Sequence, residues 1–436
     1  MTQDVPFEAM PSLDGRSLWR RLEQIVAIGN RFAGSEGEAR CRELILAEFE
    51  RAGLSNVRAE PFPYLGYEPA SASCEVLGDG TALRCTPLQY SADAVAEGEA
   101  VYLGSARPED LEALDARGVA LAGKVAVAHS FMPWLVTPAL AERGVAALVN
   151  VTETGDGLIP NFMVSFYPNG MDAPWDGRIQ PLPGVTIETS DARRLISLMS
   201  AETIRLRVTH RANYVEASSA NVVAEIVGRE LPEERVVIGA HYDTQLEGVG
   251  AADNSTGIAA LLEIGERWAE LEPRRTLVFC AFGVEELASW GAYHYCRTHV
   301  DALTATRGMI NLDALGLPLP GRRVVVADAE MAPYAVESAA RTGYEIEDEI
   351  DASAYAWSDH NPFIDAGVPA VWIWRFPPQH PYYHSAGDVL RYVDAERVLD
   401  VATASAYLAF RIAEAETVPL GRSRPVKRFI DLRPSP

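Results

Sequence analysis

Several common chemistries are missing from this chain. It has no G-x-S-x-G elbow, which removes the serine-hydrolase arrangement built on that turn. It has no G-x-x-x-x-G-K-S/T loop to cradle phosphates. The five cysteines (Cys41, Cys74, Cys85, Cys280, Cys296) are scattered, odd in number and never spaced as C-x-x-C. Neither a disulfide framework nor a cysteine zinc finger is therefore indicated. Basic charge is scarce: 38 Lys and Arg face 61 Asp and Glu, a net charge of −23. That balance argues against a nucleic-acid or anionic-membrane surface, which needs basic stripes. No apolar run approaches the roughly 18 residues that a membrane-spanning helix requires. The N-terminus lacks a basic segment followed by an apolar one, so the expected location is cytoplasmic.

What is present is a 436-residue chain, 48% hydrophobic and 23% charged, with the profile of a globular protein of two or three domains. Apolar residues at helical spacing (Leu44, Ile45, Phe49) predict a helix from Glu38 to Ala52 that stops at Gly53. From about 67 to 216 short β-like runs alternate with Pro/Gly turns, with helices expected at 138–144 and 191–200. After 217 apolar strands alternate with helical patterns at 256–271, 286–298, 330–342 and 394–415. This order predicts an α/β/α sandwich with a mostly parallel, mixed sheet. The expected division is a catalytic domain of 1–66 and 217–416, an inserted β-rich domain at 67–216, and a tail at 417–436.

In open α/β sheets ligands gather beyond the carboxyl ends of the strands. At those ends stand His241 and Asp243 after "VVIGA", Asp253 before a helix, Glu285 and Glu286 after "TLVFCAFGV", Asp313 after "GMINL", and His384 soon after "AVWIW". Singly, Asp253-Asn254-Ser255 reads as a helix N-cap, and Glu285-Glu286 as acidic residues favoured by a helix dipole. Together, two histidines and three carboxylates suit one or two divalent ions of borderline character: zinc first, then manganese or cobalt. A further carboxylate that stays off the metal is needed to take a proton from water.

In combination and order, "HYD", "GAADNSTG", "FGVEELASWGA", "NLDALG" and "YHSAGD" resemble the motif series of the co-catalytic zinc exopeptidases. That group includes bacterial aminopeptidases, glutamate carboxypeptidases and glutaminyl cyclases. The resemblance covers 217–416 and the first helix, about half of the chain. It implies that Asp253 bridges two metals, that His241 and Asp313 complete one position, and that Glu286 and His384 complete the other. Glu285 would be the general base, and Asp243 would hold the His241 ring through its second nitrogen. The middle segment ("LAGKVAVAH", "PALAERGVAALVN", "PGVTIETSDARRL") resembles a protease-associated domain, which would shape the cleft without supplying metal ligands.

The activity so implied is metal-dependent hydrolysis of a C–N bond, most often by an aminopeptidase. The alternatives are an aminohydrolase or amidohydrolase of a small, aromatic or carboxylated amine or amide, a pyroglutamate-forming cyclase, and a non-catalytic binding module. The expected partner is a small molecule or short peptide, and a homo-oligomer is left open. In "AVWIWRFPPQHPYYHSAGD" the aromatics crowd around Arg375. Period-two alternation sets Trp372 and Trp374 on one face and Arg375 on the other. Trp357, Arg375, Phe376, His380 and Tyr383 are the candidate substrate contacts. Arg375 or a neighbouring cation would pair with a substrate carboxylate.

Overall fold

A computed structural model describes residues 5–130, 133–152, 157–164, 179–317, 321–352, 357–376 and 382–418. Nearly all of the expected tail, and His380, lie outside these segments. No helix among the described residues is long and apolar enough to cross a membrane.

The apolar runs of the second half form one side of a continuous sheet. Its strands lie in the order Asp348–Asp351, Arg322–Ala327, Ala370–Phe376, Thr306–Asn311, Leu231–His241, Arg275–Phe282 and Arg205–Ile226. The central neighbours are parallel. Arg322–Ala327 against Ala370–Phe376, and Arg275–Phe282 against Arg205–Ile226, are antiparallel, so the sheet is mixed. Parallel neighbours require crossovers, and the helix Thr256–Trp268 supplies one. It packs with Gly15–Ala27 and Ala395–Glu414 into one helical layer, while Trp290–Thr298 packs with His360–Asp365 in another. All 8 positions of Arg275–Phe282 are buried, as expected for a strand covered on both faces.

Register decides what meets at the carboxyl edge. His241 pairs with Phe282, Gly239 with Asn311, and Asn311 with Trp372. The segments that follow these positions therefore emerge side by side, carrying Asp243, Glu285, Glu286 and Asp313. The helix Glu36–Ala52 matches its sequence pattern. Ser35 caps its start, accepting from the Glu38 amide, and Gly53 ends it in the left-handed conformation at φ 80°.

Two strands of 22 residues, Ser55–Val76 and Arg205–Ile226, run antiparallel from the catalytic sheet into the middle segment. Residues 66 and 217, where the composition changes, lie inside this ribbon, with Leu65 opposite Glu216. At its far end Arg205–His210 pairs with the strand Ala94–Tyr102, followed by Val125–Ala128, Ala147–Val151 and Gly184–Ile187 in parallel. Two apolar clusters cover the two faces of this small sheet. Val125 and Val127 belong to one, and Ala126 and Ala128 to the other. The middle segment is less purely β than its sequence indicates. Its helices are Pro108–Ala116, Pro133–Glu142 and Thr189–Ala201 among the described residues, and the first of these has no counterpart in the sequence reading. Pro108–Ala116 buries only Leu111, too little to make a period visible.

The catalytic helix approaches the sheet closely at Gly257, where a Cβ would lie 2.1 Å from the Leu312 carbonyl oxygen and 2.4 Å from Asn254 Oδ1. Gly257→Ala therefore has to push the Asp253 segment away from the Asp313 segment. The expected outcome is a loss of about 1–3 kcal/mol in urea unfolding, the usual cost of overpacking, together with weaker metal binding. Wild-type stability and metal affinity would refute this account of the contact.

Candidate metal centre

Six side chains (His241, Asp253, Glu285, Glu286, Asp313 and His384), from three strand ends and two connecting segments, converge at the carboxyl edge. His241 Nε2 lies 3.2 Å from Asp253 Oδ1 and 3.4 Å from Asp313 Oδ1. His384 Nε2 lies 3.4 Å from Asp253 Oδ2 and 3.2 Å from Glu286 Oε2. The two oxygens of Asp253 thus face different histidines, the geometry of a bridging carboxylate. His241, Asp253 and Asp313 form one group whose ligand atoms lie within 4.8 Å of one another, and Asp253, Glu286 and His384 form a second. Both groups coincide with the residues singled out in the sequence.

The polar bookkeeping of this site is incomplete without cations. His241 Nδ1 and Nε2, Glu286 Oε1 and Asp313 Oδ1 are buried with no hydrogen-bond partner. Buried polar atoms are otherwise almost always paired, and orphans aimed at one another in a mixed N/O set are what a divalent ion satisfies. Burial drives the Glu285 and Glu286 carboxyls well above their usual range, reinforced by neighbouring carboxylates. Burial acts on Asp253 in the same direction, but the His241 and His384 rings that face its two oxygens outweigh it and hold its carboxyl low.

The ligands are held by neighbours that sequence reasoning only partly identified. Asp243 Oδ1 stands 3.6 Å from His241 Nδ1, on the side the resemblance implies. It also accepts from the Glu285 amide at 3.0 Å and the Glu286 amide at 3.1 Å, so it anchors base and ligand at once. Asp388, quoted in "YHSAGD" without a role, accepts from the Ala252 and Asp253 amides at 2.8 and 3.0 Å. Burial raises its carboxyl to about 7. Asp253 itself does not cap the helix that follows, since Asn254 Oδ1 accepts from the Gly257 and Ala314 amides instead. Ser358 donates to Asp313 Oδ2 at 2.7 Å and accepts from Asn311 Nδ2 at 2.7 Å. Arg31, fully buried, donates to the carbonyls of Tyr242 and Val249, both at 2.8 Å, and to Ser255 Oγ at 2.8 Å. It ties the His241 strand to the glycine loop, and only its place in "GNRFAGSEG" hinted at it.

Beside the carboxylates lies a cleft walled by Trp134, Phe162, Trp357, Trp372, Trp374 and Tyr383. Trp372 and Trp374 stack at 4.1 Å between centroids and face the cleft. Arg375 does not: alternation turns it to the opposite face. There Nη1 donates to the Gly321 carbonyl at 3.3 Å, and the guanidinium sits 6.0 Å from the Tyr344 ring. The carboxylate-anchoring role expected of Arg375 is corrected accordingly. Phe376 ends the strand Ala370–Phe376, and its side chain lies outside the described residues, as does His380. Trp134 and Phe162 come from the middle segment, and nothing in their local sequence marks them as cleft residues.

The bridge has a direct consequence. Asp253→Ala is expected to lower occupancy of both metal positions, whereas Asp313→Ala should empty mainly one, as read by metal content after gel filtration. A wild-type chain that takes up a single equivalent at saturation would exclude the paired arrangement.

Comparison with known proteins agrees with this geometry. Residues 221–409 match the model of Peptidase family M28. Aminopeptidase YwaD of Bacillus subtilis (strain 168) is 26% identical over 243 residues, 53% of this chain. This chain spans about half of that relative, 52% of its length. Carboxypeptidase Q of Bos taurus is 23% identical over 427 residues, covering 91% of this chain and 85% of its own. The crystal structure of BSAP, a zinc aminopeptidase from Bacillus subtilis, superposes with a TM-score of 0.67 at 20% identity, over 91% of this chain and 95% of that one. The expected α/β fold is thus borne out, and the expected metal ligands fall into two groups that could each hold an ion. The stretch that matches the Peptidase family M28 model, residues 221–409, holds His241, Asp253, Glu285, Glu286, Asp313 and His384.

Proposed function

We propose that this protein is a metal-dependent aminopeptidase that removes N-terminal residues with aromatic or large apolar side chains. The observation that carries the reading is the composition of the cleft. Asp253, Glu285, Glu286 and Asp313 line one part and the tryptophans another, with no Arg or Lys among the described lining residues. With Asp253, Glu286 and Asp313 neutralised by the ions they would hold, Glu285 is left as the anionic group for a free amine, and no cationic side chain is offered to a C-terminal carboxylate. That favours an aminopeptidase over a carboxypeptidase, although relatives of both names exist. The aromatic wall supplies planar apolar area for a side chain to stack on.

A pair of zinc ions, when bound by His241, Asp313, Asp253, Glu286 and His384, would polarise the scissile carbonyl and acidify water. The chain's own contribution centres on Glu285. Its Oε1 accepts from Ser289 Oγ at 3.3 Å, and its Oε2 lies 3.8 Å from His241 Nε2. Its backbone is pinned by Asp243, so the carboxylate is fixed at the edge of the cluster without belonging to either metal group. From there Glu285 accepts a proton from the attacking water and returns it to the departing amine nitrogen. Burial, which raises its pKa, suits a group that must hold the proton between those two steps.

We also read residues 67–216 as a protease-associated-like module, on the strength of its sequence motifs. We place the protein in the cytoplasm, where its five free cysteines would stay reduced.

Glu285→Gln should retain metal while turnover falls by about two to four orders of magnitude, the usual span of a general base. Loss of metal instead would exchange the roles of Glu285 and Glu286. A panel of aminoacyl amides, N-acetylated counterparts, C-terminal dipeptides and simple aromatic amides tests the substrate class. Phenylalanyl and leucyl amides with a free amine should be turned over best. Preference for N-acetylated or carboxylate-recognised substrates would refute the aminopeptidase reading, and preference for aromatic amides lacking an amino acid would favour the amidohydrolase alternative.

A further inference from the structure

One of the two metal groups is held from outside the catalytic sheet. Gln89, at the end of the strand Cys85–Gln89 in the middle module, is fully buried. Its Nε2 donates to Gln245 Oε1 at 2.8 Å, and Gln245 Nε2 donates to Glu286 Oε2 at 2.9 Å. The polarity of this relay is fixed by chemistry. A carboxylate only accepts, so Gln245 must present its amide N–H to Glu286 and its oxygen to Gln89. The relay therefore works only while the module presents a donor at position 89.

The other ligand of the same group is braced from the same module. The Asn161 amide donates to the His384 carbonyl at 2.8 Å, and Asn161 Nδ2 reaches it at 3.2 Å. His384 Nδ1 lies 3.1 Å from the Asn161 carbonyl. A carbonyl only accepts, so the ring proton sits on Nδ1, and Nε2 turns its lone pair toward Asp253 and Glu286. His384 has φ 53°, in the left-handed region uncommon for a non-glycine residue. The bonds from Asn161 to its carbonyl help to hold it there. By contrast, Asp313 is held by Ser358 and His241 faces Asp243, all within 217–416.

We infer that the middle module is a positioning element for one metal position alone. Through Gln89 and Asn161 it sets Glu286 and His384, so the affinity of that position for a divalent transition metal depends on how the module is seated, while the His241–Asp313 position does not. The inference rests on the paired-metal reading of the site.

The test is calorimetric titration of the metal-stripped full chain with zinc, with metal content measured in parallel. In Gln89→Met, similar in length but without a donor, one equivalent should bind as in wild type and the other about 10–100-fold more weakly, the usual effect of losing an outer hydrogen bond to a ligand. Gln245→Met should do the same. Because the two residues act in series, the double variant should be no worse than Gln245→Met alone. Additive losses, equal weakening of both equivalents, or no change in either would overturn the inference. Should Gln89→Met not fold, Gln89→Leu, which likewise lacks a donor, must show the same one-equivalent loss, and a wild-type titration there would overturn it equally. A wild-type chain that binds only one equivalent would overturn the paired-metal reading and this inference with it.

Discussion

The constraint on which the rest of the structure turns is the crowding of carboxylates at the carboxyl edge of the sheet. Asp243, Asp253, Glu286, Asp313, Asp359 and Asp388 are all buried there. Two like charges about 4 Å apart repel by about 4 kcal/mol even at an effective dielectric of 20. The protein resolves this in two ways. Asp243 and Asp388 are each satisfied by a pair of backbone amides, which turns them into anchors for the loops that carry other carboxylates. Asp253, Glu286 and Asp313 keep oxygen atoms directed at the histidines, where cations can take over the neutralising role. The fully buried cation Arg31 points its N–H groups at carbonyls and Ser255, while its charge attracts Asp243, Asp388 and Glu286. It keeps the loop shape that lets the carboxylates meet.

How much of this was legible in the sequence follows from what each residue depends on. His241, Asp253, Glu286, Asp313 and His384 could be found because each follows an apolar strand, and parallel register delivers strand ends to one edge. The stacking of Trp372 on Trp374, with Arg375 turned away, is likewise a consequence of period-two alternation. Reading Arg375 as a substrate anchor gave sequence neighbourhood more weight than the pleat allows. What could not be read were contacts between distant segments. Gln89, Asn161, Trp134 and Phe162 reach the site only because the module folds back over the cleft, and a lone glutamine or asparagine carries no local pattern. Ser358 lies within the stretch that the resemblance covers, but its role requires knowing that Asp313 has one oxygen to tie down and one to leave open.

The cleft joins two materials that are rarely adjacent. Carboxylates and histidines form its floor, and indole and phenol rings form its wall. The apolar wall lowers the local dielectric, which strengthens every charge interaction on the floor and penalises any charge left unpaired there. The proposed preference for an amine-bearing apolar substrate and the demand for cations are thus two results of one arrangement. The Tyr383 ring shows the link most directly: it stacks on the His384 imidazole at 3.6 Å between centroids while lining the cleft.

The long ribbon also has a bearing on how the chain assembles. Apart from a short pairing with Ala82–Leu83 at its end, Ser55–Val76 pairs with Arg205–Ile226, which follows only after the module has been threaded between them. As the chain leaves the ribosome its first half waits as an unpaired edge, able to associate with other chains until that partner arrives. The module's short parallel strands lie closer together in sequence and can condense first, bringing the two ribbon ends together and shortening the effective loop. Where the module condenses first, the catalytic sheet closes last, and the carboxylates then come together on a scaffold that already restrains two of the metal ligands.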